Sequence, residues 1–396
     1  MKENILLFLV LLISSIFLFY GTQTISISAD EANTFFNGTN LVHQITVFST
    51  HLLGQNDFAL RLPFIFFHLL SIMLMYKIGK LILKKRIDRI LSVAIYALLP
   101  GVNSVALLVN SGSLVIFLTL LFVYLHMRNH TISSYGVLIF SLFVDNSFAI
   151  LYLGLFAYAI FNRKTTMLMV TLILFTLSMY MYGFDTGGKP KGYFIDTLGI
   201  YAIIFSPLLF LYFVYALYRI LIKEEKNILW YISFFSLIFS LLLSLRQKLL
   251  LEDFAPFVVL AIPLMIKVFF NSYRVRLPMF RKVHSLFFMI VIFSLSLNTL
   301  VSFFNKPLYL LMDEPSKHFA SNYHVAKELA IELKNIGVKE VSIKDDKMTL
   351  RLKFYGIEQG QSYRLTSKKE VEGYMKQIDI AYFGKSVKTF YLYRIS

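Results

Sequence analysis

Two adjacent carboxylates, Asp30 and Glu31, follow the first long apolar run, Ile5–Tyr20, and open a polar loop that closes at Arg61-Leu62-Pro63. One carboxylate of such a pair can serve as general base on an acceptor hydroxyl, or as an oxygen ligand to a hard divalent cation such as Mg2+ at Asp30. Neighbouring side chains diverge on one backbone, so the pair divides: one acid faces the chemistry and the other the supporting structure. A plainer reading stands beside this one. Asp30 and Glu31 can simply cap the helix that follows, with Ser28 or Asp30 as N-cap.

The other polar candidates also carry two readings. Arg61, at the mouth of the second apolar run, either reaches out to lipid headgroups or pairs with an acid of the loop or a lipid phosphate. Arg246 and Lys248, and Lys189 and Lys191, lie where membrane topology does not call for basic residues, and so can hold a phosphate or bind headgroups passively. Asp145, Glu252 and Asp253 are candidate acids or ion-pair partners. His43 and His51 share the loop with Asp30. The eight histidines show no metal-ligand spacing, and the lack of cysteine removes thiolate chemistry, disulfides and Cys-based metal sites. Asn37-Gly38-Thr39 matches a glycosylation acceptor triplet, which chance also produces.

The elements that must position these groups are membrane helices. The chain is 57% hydrophobic and 16% aromatic, with a mean hydropathy of +0.66. Apolar runs of about 20 residues recur through its first three quarters. The net charge of +16 is broken into short basic clusters between those runs. That distribution argues for topology signals and anionic membrane lipids, and against nucleic acid. With the clusters on the cytoplasmic side, about 11 spans result. The N-terminus is then inside, and Gly21–Leu60, Asn110–Ser113, Asp145–Ser147, Asp185–Asp196 and Arg246–Asp253 are outside. Ile90–Val109 and Leu198–Ile222 each read as one span, and the short segments around Asp145 allow a re-entrant pair. Ala32–Leu53 reads as an amphipathic helix lying in the interface.

After Pro307 the composition turns charged, which divides the chain into a membrane domain, 1–304, and a soluble α/β domain, 305–396, on the outer side. In the tail, Tyr323–Asn335 reads as a helix and Val338–Ile343 and Met348–Phe354 as strands. Ser367–Gln377 reads as a second helix, with strands at Ile378–Phe383 and Thr389–Ile395.

Asp30-Glu31-Ala32, Leu53-Gly54, Ala59-Leu60-Arg61-Leu62-Pro63 and Tyr76-Lys77-Ile78-Gly79-Lys80-Leu81, in that order, resemble the polyprenyl-phosphate-sugar-dependent glycosyltransferases of GT-C type. That group contains protein O-mannosyltransferases and lipid A aminoarabinose transferase. Arg246–Pro263 extends the resemblance weakly, and Leu352-Lys353-Phe354-Tyr355-Gly356 resembles a strand of the C-terminal domain in bacterial members. The resemblance implies a mainly α, polytopic GT-C bundle with an interfacial first loop and a small C-terminal α/β domain, in the cytoplasmic membrane. It implies transfer of a sugar from a polyprenyl phosphate to a lipid, glycan or protein acceptor at the outer face, with inversion. Asp30 is then the base or the metal-side carboxylate, with Glu31 beside it. Arg61 organises the loop or binds substrate, while Arg246 and Lys248 meet the donor phosphate.

The sequence departs from that pattern in three places. No Lys-Pro-Pro stretch occurs in Gly38–His51. Ser111 stands where many relatives carry a second aspartate, and Asp145 stands where a lysine is often found. Either Asp145 supplies the second acid, or the chain is a non-catalytic, transport or assembly relative.

Overall fold

The computed structural model describes residues 2–183, 192–369 and 373–395, of which most are helical. Lys189 and Lys191 lie outside the described residues.

Among the described residues five helical segments are long and apolar enough to cross a membrane: Glu3–Thr24, Asp57–Ile82, Thr165–Tyr182, Ala255–Val275 and Pro278–Phe303. Two further candidates are bent. Arg86–Leu98 and Pro100–Leu107 meet at 57°, and Phe194–Phe205 and Pro207–Lys223 meet at 104°. The two spans expected to run unbroken, Ile90–Val109 and Leu198–Ile222, are these two pairs. Proline explains both breaks, since it removes a helical N–H and pushes the preceding residue out of the helical region. At the second break Ser206 takes φ 74°, a left-handed backbone rare outside glycine. Four shorter apolar helices complete the set: Gly112–Met127, Thr131–Ser141, Phe148–Phe161 and Ile228–Ser244. At 1.5 Å per residue, Thr131–Ser141 covers only about 16 Å, half the hydrocarbon thickness. The chain is a multi-pass membrane protein.

Contacts group the chain into two units. The first comprises Met1–Ile16, Phe64–Ala106 and Ser111–Thr299. Its helices approach closely where a side chain is absent: a Cβ on Gly154 would lie 3.1 Å from the Ile232 Cα. Its buried hydroxyls are bonded, as an apolar surrounding requires. Tyr201 meets Ser240 at 2.8 Å, and Ser233 donates to the Phe257 carbonyl at 2.8 Å. At one end of this unit Arg89 pairs with Glu3 at 2.9 Å, and Arg274 pairs with Asp88. These pairs gather the starts of helices Lys2–Thr24 and Arg86–Leu98 with the end of Ile262–Val275.

The second unit comprises Phe17–Pro63, Leu107–Asn110 and Leu300–Ser396. Its sheet has the order β1-β2-β4-β3, with β1 Glu340–Ser342, β2 Glu358–Thr366, β3 Lys376–Tyr382 and β4 Lys385–Arg394. β1 and β2 run parallel, and the β2–β4 and β3–β4 pairs are antiparallel. Leu329 and Leu333 of helix Ala326–Asn335 bury against Val341, Ile378, Ile380 and Leu392. Strand β2 was not anticipated. Its pattern is mostly polar and exposed, so it lacks the alternation that reveals a strand.

Three local expectations are corrected. Met348–Phe354 is not a strand but part of helix Asp346–Phe354. Its apolar residues alternate with polar ones, which suggests a strand. However, Asp345 caps its start by accepting from Lys347 N at 3.1 Å, and Gly356 at φ 78° follows its end. The described residues of Ser367–Gln377 form no helix, and β3 begins at Lys376. Ala32–Leu53 is two helices, Ala29–Asn37 and Leu41–Leu53, broken at Gly38. A Cβ there would lie 2.3 Å from the Thr34 carbonyl oxygen, so the reversal needs glycine. The second of these helices buries Val42 and Thr46 and exposes Phe48 (67%), Leu52 (64%) and Leu53, as an interfacial helix does.

Candidate functional site

Ser28 caps helix Ala29–Asn37, and its hydroxyl accepts from Glu31 N at 3.2 Å. Glu31 answers through Oε2, which accepts from Ser28 N at 2.8 Å, and this closes a capping box. The same carboxylate takes Arg61 Nε at 3.3 Å, Arg61 Nη2 at 3.2 Å and the Val109 amide at 3.1 Å. A carboxylate offers about four acceptor sites, and here all are occupied. Glu31 is only 3% exposed. Its acceptor sites are thus spent within the protein itself.

Arg61 is fully buried. Besides Glu31 it donates to the carbonyls of Ile25 at 3.1 Å and Ser26 at 3.2 Å, and it lies 3.7 Å from Asp57 one turn back. These contacts engage all three of its nitrogens. The structure thus contains the pairing of Arg61 with an acid of the loop. A guanidinium suits this place because its planar fork meets a carboxylate and two carbonyls together.

Residues missed in the sequence complete the clamp. Asp57 pairs with Lys327 at 2.8 Å and accepts the Tyr355 hydroxyl at 2.7 Å. Tyr355 in turn accepts Ile27 N at 2.9 Å. Burial, with Asp57 alongside, holds the Tyr355 hydroxyl above its ordinary range, so it stays protonated as the donor this geometry needs. Arg351 donates to the Ile27 carbonyl at 2.8 Å and to that of Asn322. The segment Ile25–Ser28 is thus held from two directions by buried arginines. The one signal for this in the sequence was the Phe354-Tyr355-Gly356 resemblance, assigned there to a strand.

What the clamp leaves open is Asp30. It occupies the second position of helix Ala29–Asn37, is exposed, and makes no hydrogen bond or ion pair among the described residues. Asp30 and Glu31 divide as the backbone argument requires, one outward and one inward. No group of three or more metal-ligating side chains gathers among the described residues.

The remaining candidates belong to the first unit. Asp145 is half-buried and accepts Ser147 N at 2.9 Å. It acts on Asp253, whose carboxyl is pushed up to about 7 by burial first, then by the negative charges of Asp145 and Glu252. Arg246 and Lys248 are exposed in the segment before that acid and make no ion pair among the described residues. Ser111 precedes helix Gly112–Met127 without capping it.

This architecture is the GT-C fold. It is shared with the crystal structure of ArnT from Cupriavidus metallidurans in the apo state, at TM-score 0.55 and 10% identity, covering 99% of this chain and 98% of that one. The crystal structure of the same ArnT bound to undecaprenyl phosphate matches at TM-score 0.56 and 11% identity, over 97% of each chain. No family model matches the sequence, and no curated protein does either.

Proposed function

We propose that the protein transfers a sugar from a polyprenyl-phosphate donor to a hydroxyl of a lipid, glycan or protein acceptor. The observation that carries this reading is the separation of the acid pair: Glu31 is saturated by the clamp, while Asp30 is an exposed carboxylate without a protein partner among the described residues, at a capped helix start. In the proposed step Asp30 takes the acceptor hydroxyl proton, and the acceptor oxygen bonds to the anomeric carbon. The bond to phosphate breaks and polyprenyl phosphate leaves, with inversion. The phosphate falls to Arg246 and Lys248, and Asp145 acts as the second acid. A divalent ion, where one takes part, would be held by Asp30 and would supply charge to the leaving phosphate. The fold shared with an undecaprenyl-phosphate-bound ArnT supports a donor of this class.

The basic clusters support a cytoplasmic-membrane location with the N-terminus inside and the acidic loop and tail outside. Ser111 in the place of a second aspartate favours one other reading, a non-catalytic or assembly relative.

The test pairs Asp30→Asn with wild type in cells and reads the surface glycan or lipid modification at equal protein level. Loss of product supports the proposal, and unchanged product overturns it in favour of the non-catalytic reading.

A further inference from the structure

Away from the acidic residues, the first unit contains two adjoining cavities of opposite character. Asp253 precedes the segment Ala255–Val275 and these cavities lie at its far end, about 30 Å along a helix of that length. One cavity, about 520 Å3, is basic: Arg219, Lys223 and Arg276 line it with Asn271 and Ser272. Its single acid, Glu224, lies 3.6 Å from Lys267. None of the three basic side chains has a carboxylate within ion-pair distance among the described residues. The second cavity, about 310 Å3, shares Ser272 and Arg276 with the first and is otherwise mainly aromatic and aliphatic. Its wall is a stack in which Phe269 lies 4.8 Å from His284 and 4.3 Å from Phe288.

The two cavities meet at Ser272 and Arg276, so the basic one runs on into the aromatic one. The outer wall is helix Pro278–Phe303, only 17% buried, whose Met279, Phe280 and Phe287 are exposed. In a membrane protein such a wall opens to lipid.

We propose that these cavities form one binding site for an anionic phospholipid. The phosphate lies among Arg219, Lys223 and Arg276, and the first part of a chain runs along Phe269 and Phe288. Basic pockets between membrane helices suit anionic headgroups, and an apolar groove continuous with the basic one selects a lipid over a free anion. A scattered basic membrane edge would not need the adjoining apolar groove.

The test uses the full-length protein in detergent micelles doped with phosphatidylglycerol, phosphatidylcholine or inorganic phosphate, and reads retained lipid by native mass spectrometry and the melting midpoint. Phosphatidylglycerol is retained and raises the midpoint, whereas phosphatidylcholine and inorganic phosphate do not. Arg219→Gln with Arg276→Gln cuts retention at least fivefold. Phe288→Ala, which keeps every charge, cuts it at least twofold. Lys282→Gln, a control on the exposed side of the same helix, leaves it unchanged. Should the double variant fail to fold, Arg219→Lys keeps the charge and removes the planar guanidinium fork, and a loss of at least twofold is expected. Equal retention by these variants, equal loss in Lys282→Gln, or an equal midpoint shift with inorganic phosphate overturns the site.

Discussion

Arg61 grips Glu31 side-on, Nε to Oε1 at 3.3 Å and Nη2 to Oε2 at 3.2 Å, with both side chains out of solvent. Burying two charges is costly, and their mutual geometry with added backbone contacts is what offsets it. Removing one partner leaves the other uncompensated. Arg61→Ala is therefore expected to destabilise the second unit by about 3–5 kcal/mol. Thermal melting of the purified chain checks this, and a midpoint within a degree of wild type would refute it.

Asp30→Asn is expected to behave oppositely. The side chain is exposed and unbonded, so melting stays at the wild-type value while transfer falls by about 10²–10⁴-fold, the usual range for a lost general base. Glu31→Gln should lose both stability and transfer, because the neutral amide accepts poorly from Arg61 and brings donors to a site that needs acceptors. A variant pair with the reverse pattern would reassign the two acids.

Tyr355→Phe removes one hydroxyl, which strands the Ile27 amide and takes one donor from the Asp57 carboxylate. The expected cost is about 1–3 kcal/mol. Amide exchange at Ile27 should rise with it. Unchanged protection there would show that the clamp holds without this residue.

His324 is 2% exposed and its ring is pushed down to about 3, by burial first and then by Lys306 and His318. The folded ring stays neutral while the unfolded chain takes up a proton below 6.5. Stability of the second unit is thus full above 6.5 and falls as pH drops from there toward 3, by up to about 1.4 kcal/mol per pH unit. Exchange of helix Ala326–Asn335, corrected for intrinsic rates, reads this loss, and His324→Phe should flatten it.

Asp253 gives the opposite slope. Its folded carboxyl titrates near 7 and its unfolded one near 3.8, so stability of the first unit declines as pH rises from about 4 to 7. Melting followed by the single tryptophan, Trp230 of the same unit, should show this decline. Asp145→Asn should weaken it by removing one of the charges that raise Asp253, and an unaltered slope would separate the two acids.

The fold was legible where one long-range pattern dominates. Apolar runs marked the helices, and the charged tail marked the α/β element. The two sharp bends were also written in the chain, at Pro100 and Pro207, but hydropathy averaged over about 20 residues smooths a single proline away. Asp346–Phe354 was misread because Met348, Leu350, Leu352 and Phe354 alternate, while its true buried face, Met348, Arg351 and Leu352, includes an arginine that pattern rules count as polar. The acid pair and Arg61 were visible as a block. Their division of roles was not, because it depends on Val109, Arg351 and Tyr355, which lie from 78 to more than 300 residues away in sequence. Sequence spacing carries no information about such partners.

The bond from Glu31 to the Val109 amide has a consequence for how this chain can change. A backbone amide is supplied by every residue except proline, so the bond fixes the register of residue 109, while its buried side chain answers to packing. Apolar substitutions of similar size at 109 should keep the bond, and proline should break it. Adding or removing one residue between the bend at Leu99 and Val109 would shift a different amide, at a different angle, onto the carboxylate. Length in this segment is what the bond fixes, and the side chains along it answer separately to the core around them.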